Sequence, residues 1–160
     1  MNTMTAGVTP FRSPLSWVLI AGLVGGLAEV AWVSLYAALT PLDGATVGRE
    51  ITETVFGDAA GGAYAPFFGF GIHMVLSVAL AAVFTALLWR WAARAGQAGI
   101  LGASVGTLAA IWAMNFFVVL PAVNPAFVDL MPLSVTFTSK MLFGAAMGFA
   151  LCRVSRRGRG

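Results

Sequence analysis

The chain has 160 residues, of which 59% are hydrophobic and 9% charged, with mean hydropathy +0.90 and a formal net charge of +3. A soluble domain carries roughly 25% charged residues, so this composition excludes a water-coated globule and reads as an integral membrane protein. The lone Cys152 excludes an intramolecular disulfide, a thiol-relay pair and a cysteine-based zinc site, and membrane orientation explains the basic balance better than nucleic acid does.

A bilayer core takes about 20 mostly apolar residues per helix. The first such segment is Trp17–Leu39, with Arg12 and Pro14 before it and Pro41 after it. Its apolar stretch is too long for a cleaved leader, and no small-x-small cleavage site follows. At about 100° per residue, Gly22, Gly25, Gly26, Glu29, Val33 and Tyr36 share one stripe. Small residues at such spacing let helix backbones approach closely in lipid, which predicts a packing seam.

The connection from Thr40 to Pro66 is long for a bundle. Within it, "TVGREITETVFG" sets Val47, Ile51 and Val55 on one face with charges elsewhere, predicting a short amphipathic helix on the outer membrane face. The following "GDAAGGAYAP" reads as a flexible return.

The second span, Phe67–Trp89, opens after Pro66, ends at Arg90 and lines up His73, Ser77, Leu80 and Phe84. Span three, Ala98–Leu120, is closed by Pro121. Its seam is Gly102, Gly106, Ala109, Ala113 and Phe116, with Asn115 pointing away from it. The fourth span, Ser134–Val154, follows Pro132 and lines up Lys140, Gly144, Met147 and Leu151. The tail "RVSRRGRG" should touch anionic headgroups through Arg153, Arg156, Arg157 and Arg159, at about 1 kcal/mol each near the surface.

Arginines also set direction. Arg12, Arg90, Arg94 and the tail lie on one side, whereas the two other connections hold Arg49 against Asp43, Glu50, Glu53, Asp58 and Asp129. The positive-inside rule then places both termini in the cytoplasm, in a bacterial inner membrane.

An internal repeat emerges on alignment. Trp32 falls on Trp112, Gly22 on Gly102, Gly26 on Gly106, Tyr36 on Phe116 and Pro41 on Pro121. With His73 on Lys140, Phe70 falls on Phe137, Met74 on Met141 and Ala79 on Ala146. The expected fold is therefore all-α, a single-domain four-helix bundle made from a duplicated helical hairpin related by an axis along the membrane normal.

Four polar side chains sit inside these spans: Glu29, His73, Asn115 and Lys140. A charge at the bilayer centre costs about 2.5–3.5 kcal/mol even on the lenient insertion scale, so Glu29 and Lys140 should meet, with His73 and Asn115 hydrogen-bonded nearby. The same atoms suit a proton or ion relay, because histidine titrates near neutral pH. A haem held by His73 with Met74 or Met114 is the weakest alternative. No metal site, cofactor loop or hydrolytic constellation is legible.

The stretches "HMVLS", "NFFVVLP" and "KMLFGAAMG" resemble the YagU-like group of small bacterial inner-membrane proteins of unknown function. His73, Ser77, Asn115, Phe116, Pro121, Phe143 and Gly144 match that pattern, across roughly residues 17–154. Lys140 stands where the pattern has a second histidine, so a paired-histidine role is not carried over. The resemblance implies topology and no activity. From the residues, the expected function is a non-enzymatic accessory or structural subunit packing against membrane partners or itself, without cofactor or nucleic acid. The alternative is a small oligomeric transporter or proton/ion conductor using Glu29, His73 and Lys140.

Overall fold

The computed structural model describes residues 14–57 and 62–157. Arg12, Asp58, Arg159 and part of the expected return loop lie outside the described residues, as do the side chains of Arg156 and Arg157. Every element among the described residues is helical. Four helices, Leu15–Ala38, Ala65–Leu87, Gly96–Val123 and Leu133–Val154, are long and apolar enough to cross a membrane.

Helix α1 (Pro14–Ala38) is followed by α2 (Gly44–Phe56), where Asp43 caps the N-terminus by accepting from Ala45 N at 3.0 Å. The expected amphipathic helix is thus present, but its apolar stripe packs inward. Val47 is buried, and the helix lies across the start of α3 (Ala65–Leu87). Two glycines make that crossing: a Cβ on Gly48 would lie 2.7 Å from Pro66 O, and one on Gly69 would overlap Gly48 O. Thr52, fully buried between them, donates to Ala65 O at 2.6 Å.

The second span ends at Leu87, two residues before the expected Trp89. Trp89 instead begins a short helix, α4 (Trp89–Arg94), and its ring meets Trp17 edge-on at 6.5 Å. Gly96, at φ 71°, provides the left-handed turn into α5 (Gly96–Met114). Pro121 does not close the third span. Its ring would collide with the carbonyl four residues back in an α-helix. The chain meets this by widening into a π-helical segment, Asn115–Val119, in which Leu120 N reaches back to Asn115 O. The helix then continues as α6 (Leu120–Val123), before α7 (Pro125–Leu130) and α8 (Leu133–Arg157).

Cross-helix contacts fix the order. Gly22 and Gly26 of α1 meet Val78 and Ser77 of α3, while Gly25 meets the Phe143 ring of α8. Gly144 and Gly148 of α8 meet Ser104 of α5. Each pair runs antiparallel, and the long helices form a row, α3–α1–α8–α5, with no comparable packing between the outer two. Both register-matched tryptophans hold the start of α8: Trp32 Nε1 donates to Val135 O at 3.1 Å and Trp112 Nε1 to Thr136 Oγ1 at 3.0 Å.

The expected seam on the third span is corrected. Gly102 and Gly106 are exposed, with nothing within 4 Å of a built Cβ, because α5 buries the opposite face through Ile100, Ser104 and Leu108. The main core, with Phe84, Leu108, Phe143, Met147 and Leu151, fills the half of the bundle nearer α4. The half nearer α2 and α7 is hollow.

Candidate functional site

The hollow is a cavity of about 440 Å³. Its walls come from α1, α3 and the π-helical segment, and its roof from Val47, Ile51 and Val55 of α2 with Phe127 of α7. Ionisable groups among the described residues lining it are confined to Glu29, His73 and Lys140.

Glu29 is 8% exposed. Lys140 Nζ donates to both of its carboxylate oxygens, at 2.6 Å and 2.8 Å, and Ser139 Oγ lies 3.3 Å from Oε1. The pair joins α1 to α8 across 111 residues of chain. Each charge is thereby compensated where hydrocarbon would leave it bare. Aromatic surface lies close by, with Nζ 6.0 Å from the Phe143 ring centroid.

His73 approaches from α3. Its Nε2 is 3.3 Å from Gly26 O and 4.0 Å from Glu29 Oε2. A carbonyl only accepts, so the proton is assigned to Nε2, and Nδ1 is left as the second hydrogen-bonding atom of the ring. Ser77 Oγ donates to His73 O at 2.7 Å, one turn along, so the hydroxyl is turned back onto its own helix. A Cβ on Gly26 would sit 2.6 Å from Ser77 Oγ, so this glycine lets α3 come close enough to present His73.

Asn115 departs from the expectation. It lines the cavity, half-buried, but its side chain makes no hydrogen bond among the described residues, and in particular none to Glu29 or Lys140. The π-helical widening before Pro121 shifts the register that a straight helix would give it.

Sequence reading missed Ser139 and Asn124. Ser139 is adjacent to Lys140 and was hidden as an ordinary small residue of a membrane helix. Asn124 latches the roof: its Nδ2 donates to Glu50 Oε2 and Thr54 Oγ1, both at 3.0 Å, and its Oδ1 accepts from Phe127 N at 3.2 Å. The dipeptide Asn124-Pro125 carries that signal, since asparagine at N-cap followed by proline at the first position marks a helix start.

No family model, curated protein or solved structure matches the chain.

Proposed function

We propose that this is a non-enzymatic protein of the bacterial cytoplasmic membrane that holds a small molecule in the outer half of its bundle. The observation that carries this reading is the cavity itself: about 440 Å³, roofed by an amphipathic helix and floored by a buried ion pair. Ligand pockets in proteins run from roughly 300 to 1,000 Å³ and are mostly apolar with a few convergent polar groups. Glu29, His73 and Lys140 are then the polar groups at the bottom of a binding site. A carrier or a receptor would use them in the same way.

A conducting pathway fits less well. Beneath the ion pair the core is Phe84, Phe143, Met147 and Leu151, an apolar plug between the cavity and the other membrane face. The accessory-subunit reading has its own support, because α3 and α5 flank a gap that a partner helix could close. Duplication of a hairpin is proposed on the register of tryptophans, glycines and prolines. In such a history the small residues of the seam now sit on α1 in one copy and on α8 in the other. Kinship with the YagU-like proteins is proposed on their three short motifs alone.

Val33 lines the cavity, so Val33→Trp should fill it. Organic extract of the host membrane, added to purified protein, is expected to raise the Tm of the wild type by several degrees and leave Val33→Trp unmoved. An equal response of the two proteins overturns the binding reading. A stoichiometric protein companion retained in mild detergent, with no response to extract, favours the accessory subunit instead.

A further inference from the structure

The cavity's charge, hydrogen-bonding capacity and opening together specify the class of molecule it takes, on the premise that it is a binding site. The Glu29–Lys140 pair sums to zero charge, and Lys140 already spans both carboxylate oxygens. An anionic head would have to draw Lys140 away and strand the carboxylate. A cationic head would have to displace Lys140 from Glu29 and strand the ammonium. Either exchange leaves a bare charge in a low-dielectric site, the costly outcome for a buried pair.

Hydrogen bonding remains on offer without breaking the pair. Asn115 presents a carboxamide with no partner among the described residues, and His73 keeps Nδ1 beyond its contact with Gly26 O. The rest of the lining is apolar.

The opening is sideways. Phe70 and Leu76 of α3 and Val119 of the π-helical segment line the cavity and are also 46%, 53% and 40% exposed. These residues flank the gap where α3 and α5 do not pack. In a bilayer that gap faces acyl chains, so an apolar molecule reaches the cavity without crossing water.

We infer that the occupant is an uncharged amphiphile, with an apolar body and a small hydrogen-bonding head, entering from the lipid between α3 and the π-helical segment.

Three probes with one tail length test this: decanol, decanoate and decyltrimethylammonium, titrated into the full-length protein in the same detergent while Tm is followed. The wild type should respond to decanol at concentrations at least tenfold below those needed for either charged homologue. Glu29→Gln leaves Lys140 unpaired and should shift the preference to decanoate, whereas Lys140→Met should shift it to decyltrimethylammonium. The Glu29→Gln/Lys140→Met double variant is again neutral and should return to decanol, which keeps the test alive where a single variant fails to fold. A charged homologue binding the wild type best, or equal binding of all three, overturns the class of ligand while the site stands. No response to any probe in the wild type removes the site itself, and the binding reading with it.

Discussion

At the scale of single residues, the buried pair decides most. A carboxylate and an ammonium each carry a cost in hydrocarbon, and the 2.6 Å and 2.8 Å contacts offset it only while both partners are present. Lys140→Met is therefore expected to destabilise by about 3–5 kcal/mol, and Glu29→Gln by somewhat less, because glutamine still accepts from Ser139. The double variant should recover much of either loss, as read from unfolding in mixed micelles. Additive losses would show that the two side chains act separately. The meeting of Glu29 and Lys140 was legible because the chain has so few charges that each must find another. Asn115 was not, because the π-helical widening before Pro121 breaks the even spacing that helical arithmetic assumes.

Helices pair here through glycine, but not through every glycine. A methyl group on Gly22 would fall 2.6 Å from Val78 Cα, backbone that cannot step aside. Gly22→Ala should cost about 1–3 kcal/mol as overpacking, and Gly69→Ala, which presses on Gly48, should loosen α2 from α3 by a similar amount. Gly102→Ala and Gly106→Ala should be neutral or gain up to about 1 kcal/mol each, because alanine is the better helix former and nothing stands in its way. Thermal unfolding of the four variants side by side checks the contrast. A marked loss at Gly102 or Gly106 would mean that a second protein covers that face. Sequence spacing found the stripe on α1 because α1 is packed on two sides. It misplaced the stripe on α5 because that helix has one neighbour, α8, and small residues can equally lie toward lipid. The outline of α2 was readable from Val47, Ile51 and Val55, yet its direction was not, since an apolar face suits a membrane surface and a cavity roof alike.

For the molecule as a whole, the row α3–α1–α8–α5 replaces the closed bundle that four spans suggest. The number and limits of the spans were legible to within about three residues, because prolines and arginines punctuate them. Their neighbours were not, because periodicity reports that a face is buried without naming what buries it. Topology gives a direct check. Arg49 and Arg94 are both exposed and lie at opposite ends of the bundle. In a Cys152→Ala background, Arg49→Cys should react with a membrane-impermeant maleimide in intact cells, and Arg94→Cys only after permeabilisation. The reverse pattern would turn the protein over in the membrane.

The distance along the chain between Glu29 and its counter-ion has a consequence for synthesis. With 111 residues between them and a ribosome adding roughly 5–20 residues per second, the lysine emerges on the order of ten seconds after the glutamate. Throughout that interval the nascent first helix carries an acid with no base. It must linger beside the insertion machinery, or in some watery groove there, until the final helix is delivered. The first helix made is then among the last to be released into lipid.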